Sequence, residues 1–391
     1  MMVLLIWVVC LAVAVPVAIL AAECTVGAFG RGLRQETGQP PPFIVLMPAH
    51  DEAAGIASTV VAVRQQLRPC DELLVVADNC TDDTAATARR LGATVVERSD
   101  VLRRGKGHAL EFGREFIEAN RSEAAASIIV VLDADCRPER NALQSLAGTA
   151  SLRNAVVQGA DLLDCPPDAS AVVRVSCLAF LIKNLVRQRA LQRLAGTVLL
   201  QGTGMAFPRP VFARARWATG SLVEDLEMGL ELLLDGNRVL FNPSALFLSS
   251  ASSAAGTASQ RRRWEHGMLQ IMCAHAPRLI AAGLSGRKNA RLLVIGLDLL
   301  VPPTVLLGLL AFAATGAALA LGGLSLPVLI LVAADVALGF GILAAWWVHG
   351  RAILPVRSLG EVPGYVVWKM PILAQFITRR ERQWIRTERR P

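Results

Sequence analysis

Two carboxylates one residue apart, Asp133 and Asp135, close the run Ser127-Ile128-Ile129-Val130-Val131-Leu132. On an extended backbone their side chains point the same way, and hard oxygen donors so placed suit a divalent cation and a diphosphate. The apolar run before them reads as a parallel strand buried on both faces, so the acids must mark its carboxyl end, where open α/β sheets bind ligands. Asp-x-Asp alone is a chance-level pattern in 391 residues. Its meaning depends on what accompanies it. Glu224-Asp225 opens a helical stretch running through Leu234, where acids sit comfortably against the helix dipole. Gln201-Gly202-Thr203-Gly204 carries two glycines that let backbone approach a ligand.

The elements that position these groups alternate. Phe43–Met47 reads as a strand ending in Pro48-Ala49-His50-Asp51-Glu52, followed by a helix over Ile56–Leu67. Leu73–Ala77 is a second strand, ending in the turn and helix-start cluster Asp78–Thr84. A helix over Ala85–Leu91, a strand over Ala93–Glu97, a flexible basic loop Arg104–His108 and a helix over Ala109–Ala119 lead into the strand before Asp133. Strand–helix alternation predicts a doubly wound parallel sheet, with acids and polar turns at successive strand ends. There is no Gly-x-Gly-x-x-Gly after the first strand and no Gly-x-x-x-x-Gly-Lys-Ser/Thr, so a dehydrogenase fold and a P-loop kinase are disfavoured.

A hydrophobic content of 53% and mean hydropathy of +0.45 are too apolar for a purely soluble chain. The net charge of +8 comes from basic residues beside the hydrophobic ends, with one tyrosine in the chain, so a basic membrane-facing surface explains it better than nucleic acid. The eight cysteines form no Cys-x-x-Cys pair and read as reduced apolar fillers. Val3–Ala22 carries no charge and is long enough to cross a bilayer of about 30 Å, with no Lys or Arg before it as a signal peptide would have. Two further apolar blocks, 292–321 and 326–348, are separated by Gly322-Gly323-Leu324-Ser325, a break short enough to force a helical hairpin. Arg31, Arg34, Arg287, Lys288, Arg291, Arg351 and Arg357 all flank one side, which places 23–291 and the C-terminus in the cytoplasm and the N-terminus outside. Asp298 and Asp335 fall within the membrane blocks and receive no role. The tail from Ser358 mixes Trp368, Phe376 and Trp384 with arginines, and Pro363 and Pro371 interrupt any long helix, so it reads as interfacial.

Taken in order, Pro48–Glu52, Asp78–Thr84, Arg104–Gly107, Asp133-Ala134-Asp135, Glu224-Asp225 and Gln260-Arg261-Arg262-Arg263-Trp264 resemble the membrane-bound family 2 glycosyltransferases. These include cellulose, hyaluronan and poly-N-acetylglucosamine synthases and ceramide glucosyltransferases. The resemblance covers roughly 43–270, and Asp51 and Asn79 depart from it, Asn and a second acid or Gly being commoner there. It implies an α/β catalytic domain of the GT-A type, a Rossmann-like mixed sheet, with three transmembrane α-helices. The organisation expected is a transmembrane helix over 1–22, a linker over 23–42 stiffened by Pro40-Pro41-Pro42, a cytoplasmic catalytic domain over 43–270, an interfacial segment over 271–291, a transmembrane hairpin over 292–348 and a basic amphipathic tail over 349–391. It further implies that Asp135, with Asp133, holds Mg²⁺ or Mn²⁺, and that Glu52, Asp78, Lys106, Asp133 and Arg263 bind the nucleotide-sugar. Asp225, beside Glu224, is then the general base, and Gln260, Trp264, Gly202 and Thr203 lie on the acceptor side. Arg263 suits a diphosphate bidentately and Trp264 offers a stacking face.

The activity implied is inverting transfer of a hexose, with a UDP-sugar the expected donor, onto a lipid-linked or membrane-associated acceptor in polysaccharide or glycolipid synthesis at a bacterial inner membrane. The implied partners are the donor, a lipid-linked or polysaccharide acceptor, membrane lipids and other polysaccharide-assembly proteins, with no nucleic acid. The alternatives are a processive β-polysaccharide synthase, which needs more helices to form a channel, and a non-catalytic scaffold, which predicts loss of an acid from Asp78, Asp133, Asp135 and Asp225. A sugar nucleotidyltransferase needs a Gly-rich loop that Pro48–Glu52 lacks, and a transporter needs more than three helices.

Overall fold

A computed structural model of the chain describes residues 1–30, 39–123, 125–218, 223–250, 254–285 and 290–378, and the side chains of 254–263, 372 and 374–378 lie outside the description. The chain divides into two units. One holds Gly32–Asp164 and Thr197–Ser252; the other holds Met1–Arg31, Cys165–Gly196 and the chain from Ser253 to Glu388. The expected catalytic span 43–270 is therefore divided, with Cys165–Gly196 grouping among the membrane-type helices.

The first unit is built on one mixed sheet. Its strands are β1 (Phe43–Ala49), β2 (Glu72–Asp78), β3 (Thr94–Arg98), β4 (Ile128–Val131), β5 (Cys136–Pro138), β6 (Val156–Asp164), β7 (Met205–Pro208) and β8 (Val239–Ser250), in the order β3-β2-β1-β4-β7-β6-β8-β5. The four strands on the β3 side are parallel, as alternation predicts. Beyond β4 the pattern changes, because β7 runs antiparallel to both β4 and β6. β1 and β4 are buried on both faces; Phe43, Val45, Met47, Ile128, Val130 and Leu132 pack with Ile56, Val60, Val63, Leu143 and Leu146 from flanking helices. Each such side chain contributes about 1.5–3 kcal/mol on burial, so the central strands are the rigid base from which the acids project. Arg68 ties the proline linker down: it pairs with Asp71 and donates to the carbonyls of Pro40 and Pro41, while Asp71 accepts the Phe43 N–H.

One local expectation is corrected. Residues Lys106–His108 are not a flexible loop but the first turn of the helix Lys106–Asn120. Gly105, at φ +119, makes the bend before it. Gly107 is required within that first turn, since a Cβ there would stand 2.2 Å from the Trp217 carbonyl oxygen.

The second unit is helical. Three of its helices are long and apolar enough to cross a membrane: Met2–Phe29, Thr304–Gly322 and Leu326–Gly350. The first runs past the expected end at Ala22 and carries Glu23 into the interior. The expected block 292–321 is not one helix. A helix over Ala290–Asp298 ends before Pro302-Pro303, and a new helix starts at Thr304, because proline cannot donate to the preceding turn. Glu23 and Asp298 flank Arg187: Nε donates to Glu23 Oε2 at 2.7 Å and Nη2 to Asp298 Oδ1 at 2.6 Å. All three side chains are buried. Asp335 accepts a 2.7 Å hydrogen bond from Thr315 across the hairpin. The tail departs from expectation as well. Val362–Thr378 is a single helix that contains Pro371, and its Tyr365 and Lys369 are buried, Lys369 in an ion pair with Glu265. Pro363 lies in its first turn, where no N–H is needed.

Candidate active site

Strand β4 ends at Val131, and the chain turns so that the Cys136 N–H bonds the Asp133 carbonyl at 3.1 Å. That turn holds Asp133, Ala134 and Asp135 at the lip of the sheet, with both carboxylates partly exposed and Ala134 buried. Lys106, at the first position of its helix, reaches across. Its Nζ lies 2.5 Å from Asp133 Oδ1 and donates to the Gly202 carbonyl at 2.7 Å. Burial opposes the lysine's charge, but Asp133, Glu224 and Asp225 outweigh it and hold the ammonium firmly protonated. The lysine is thus anchored rather than mobile.

The loop 201–204 passes beneath. Thr203 Oγ1 accepts the Asp133 N–H at 3.0 Å. Fully buried Gln158 on β6 fixes the loop's path: its amide donates to the Thr203 carbonyl at 2.8 Å, and its Oε1 accepts the Gln201 N–H at 2.9 Å. Gly202 has φ +92, and a Cβ there would sit 3.1 Å from Asp225 Oδ2 and 3.4 Å from Lys106 Nζ. Only glycine allows the loop to run this close to both charges.

Glu224 and Asp225 open the helix Glu224–Leu234. With Lys106, Leu110, Gly202, Met205, Arg216, Trp217 and Met228 they line one pocket. Burial pushes the Glu224 carboxyl up to about 7, the Asp225 charge pushes in the same direction, and Lys106 partly offsets both. Glu224 therefore holds its proton up to near neutrality, the range in which a side chain moves protons efficiently. Behind Asp133 and Asp135 lies a further acid, Asp161 of β6, buried, accepting a 2.9 Å hydrogen bond from Ser249. Burial, then the charges of Asp133 and Asp135, raise it well above the carboxylate range against the pull of Ser249 and Lys106.

The donor set at Asp133 and Asp135 fits a hard cation. Two partly exposed carboxylates with a third acid behind them supply oxygen only, and Mg²⁺ is commonly held by one or two carboxylates with substrate phosphates completing its shell.

At the ends of β1 and β2 the chain forms a second polar cluster. Asp78 is buried and paired with Arg98 at 2.6 Å. The His50 ring nitrogen Nδ1 lies 2.7 Å from the Asp78 carbonyl, and Asp51 accepts the Thr81 N–H at 2.6 Å. The Glu52 N–H donates to Thr84 Oγ1 at 2.7 Å. Asp51 and Asn79, the two departures from the family pattern, have φ +51 and +50. Asn, Asp and Gly are the residues that adopt this conformation readily, so both residues are compatible with their backbone.

Glu52, Asp78, Lys106, Asp133, Asp135, Gly202, Thr203, Glu224 and Asp225 all belong to the sheet unit. Lys106, Asp133, Gly202, Thr203, Glu224 and Asp225 are interlinked there, and Glu52 and Asp78 belong to the neighbouring cluster. Gln260, Arg263 and Trp264 belong to the helical unit, on the helix Ala254–Leu284. The side chains of Gln260 and Arg263 lie outside the described residues, and the Trp264 ring packs against Phe180 with centroids 5.5 Å apart. Sequence patterns miss Gln158, Asp161 and Arg98. The available signal was a glutamine and an acid inside the otherwise apolar strand 156–163, which strand logic marks as polar groups needing partners.

Residues 40–267 match the model of the family described as glycosyltransferase like family 2. Over 253 residues the chain is 25% identical to the probable glycosyltransferase YdaM of Bacillus subtilis, a match covering 60% of this chain and 57% of that protein's length. The fold is similar to the mannosyltransferase PcManGT from Pyrobaculum calidifontis in complex with GDP-Man and Mn²⁺, with a TM-score of 0.55, 20% identity and coverage of 93% of this chain and 99% of that one. Glucosyl-3-phosphoglycerate synthase from Mycobacterium tuberculosis, in complex with Mn²⁺, UDP and phosphoglyceric acid, gives a TM-score of 0.39 at 20% identity over 59% of this chain and 78% of that one. The mixed sheet is of the GT-A type.

Proposed function

The chain belongs to the glycosyltransferase-like family 2, and on that premise we propose that it is a metal-dependent, inverting hexosyltransferase of a bacterial inner membrane. It takes the sugar from a nucleotide-sugar, a UDP-sugar, and passes it to a lipid-linked or membrane-associated acceptor in polysaccharide or glycolipid synthesis. The observation that carries this reading is one pocket in which Lys106 and Gly202 meet Glu224 and Asp225, with Asp133 bound to that lysine.

In this reading Asp225 takes the proton of the acceptor hydroxyl. The oxygen forms its bond to the anomeric carbon as the bond from that carbon to the diphosphate oxygen breaks, and a single in-line step inverts the centre. Glu224 sets the proton affinity of the pair. Lys106 orders the loop 201–204 and places positive charge beside the leaving diphosphate. Asp133 and Asp135 would hold Mg²⁺ or Mn²⁺, which when bound supplies charge neutralisation to that diphosphate. Glu52 and Asp78 line the nucleoside end. Gln260, Arg263 and Trp264 serve the diphosphate and acceptor, as their sequence pattern suggests.

The helices support the membrane part of the proposal. Three segments among the described residues are long and apolar enough to span, and the basic residues that flank them support a cytoplasmic sheet unit, on the side where nucleotide-sugars are found. Three spans among the described residues favour transfer of a single sugar over extrusion of a polymer. Incubating the purified protein with labelled nucleotide-sugars and membrane lipids, then sizing the product, tests this. One sugar added per acceptor is expected, and a long polymer overturns the single-transfer reading.

A further inference from the structure

The carboxylate of Asp78 is engaged from one side. Asp78 ends β2 and Arg98 ends β3, and the two stand opposite each other in the parallel register. Arg98 Nη1 donates to Asp78 Oδ1 at 2.6 Å, and Asn79 Nδ2 donates to the same oxygen at 3.0 Å. Neither donor is loose. Asn79 is oriented by the Asp100 N–H, which donates to its Oδ1 at 2.8 Å. Arg98 is held from behind by Asp100 Oδ2 at 3.1 Å, and Asp100 in turn accepts from Arg103 Nε at 2.8 Å. The Asp78 and Arg98 side chains are only 7% and 9% exposed. A carboxylate oxygen offers two in-plane lone pairs, so Oδ1 is filled. Among the described residues, Oδ2 receives no donor.

We propose that Arg98 is a positioning residue for nucleobase selection: by filling Asp78 Oδ1 it leaves one oxygen to read the base, so the site prefers a uracil to a guanine nucleotide. This rests on the reading that a nucleotide-sugar lies across the carboxyl ends of the parallel strands, as ligands do in open α/β sheets. Uracil presents a single ring N–H flanked by two carbonyls, and Oδ2 alone satisfies it. Guanine presents a ring N–H and an amine side by side, an edge that needs both oxygens of a carboxylate. With Oδ1 filled, the amine goes unpaired in a desolvated site, which lowers affinity by roughly ten- to hundredfold. The contacts from Arg98 and Asn79, both made to a carboxylate, hold its orientation.

The test is calorimetric titration of UDP and of GDP, each with Mn²⁺, into the full-length protein in detergent, for wild type, Arg98→Met and Arg98→Lys. Wild type is expected to bind UDP at least about tenfold more tightly than GDP. Arg98→Met, which frees a lone pair of Oδ1, is expected to narrow that ratio severalfold, and Arg98→Lys to restore part of it. A ratio unchanged in a folded Arg98→Met, with both affinities reduced alike, makes Arg98 merely structural and overturns the proposal while leaving the nucleotide-sugar reading intact. GDP binding as tightly as UDP in wild type overturns it without any variant. Failure of wild type to bind either nucleotide overturns it together with the reading on which it rests.

Discussion

At the scale of single residues, the account depends on Asp225 and Glu224. Asp225→Asn is expected to keep nucleotide binding within severalfold of wild type while slowing transfer by about 10²–10⁴, the usual worth of a positioned base; calorimetry and turnover measured on the same preparation check this. Glu224 gives a pH signature whose sign is fixed. Its carboxyl is raised in the folded protein from an ordinary 4.5 to about 7, so its stabilising proton is fully present below about pH 4.5 and is lost as pH rises through 7. Wild type should therefore lose melting temperature between about pH 5 and pH 8 relative to Glu224→Gln. A constant gap between the two proteins would show that Glu224 titrates normally. The motif acids, Asp133, Asp135, Glu224 and Asp225, were legible in the sequence because they interrupt apolar runs or open a helix. Arg98, Gln158 and Asp161 were not, because their meaning comes from partners on other strands: Asp78 lies 20 positions before Arg98, and Thr203 lies 45 after Gln158.

At the scale of elements, the loop 201–204 and the helix packing carry the argument. Gln158→Leu removes the donor to the Thr203 carbonyl and the acceptor for the Gln201 N–H, both buried against β6. A loss of about 1–3 kcal/mol is expected, with Lys106-dependent nucleotide binding weakened as well. Thermal melting and UDP titration report the two effects separately, and an unchanged melting temperature would mean that the loop is held by other contacts. Arg187→Met leaves Glu23 and Asp298 buried without their cation, and a cost of about 3–5 kcal/mol follows from stranding such charges; the triple variant with Glu23→Gln and Asp298→Asn should recover much of it. The first four strands and their helices followed from alternation of period and turn chemistry. The antiparallel β7 did not, because Met205–Pro208 is too short to announce its direction. The Pro302-Pro303 break was written in the sequence but masked by the apolar residues on either side, and the ion pairs of Glu23 and Lys369 depend on packing among helices far apart in the chain.

At the scale of the whole molecule, the claim is that a GT-A sheet unit and a set of apolar helices serve one reaction at a membrane. The proposed topology rests on charge: cysteine substitutions at Gly323 and at Arg357 should be labelled by an impermeant thiol reagent from opposite faces of sealed inverted vesicles, and labelling from the same face would undo the hairpin assignment. The central claim is tested most directly by nucleoside diphosphate release. Purified protein with a panel of nucleotide-sugars, membrane lipid acceptors and Mn²⁺ or Mg²⁺ should release diphosphate from a UDP-sugar as sugar appears on lipid. EDTA should stop the release, and Asp135→Asn and Asp225→Asn should each reduce it by at least about a hundredfold. No release from any nucleotide-sugar, or release indifferent to both substitutions, would contradict the account.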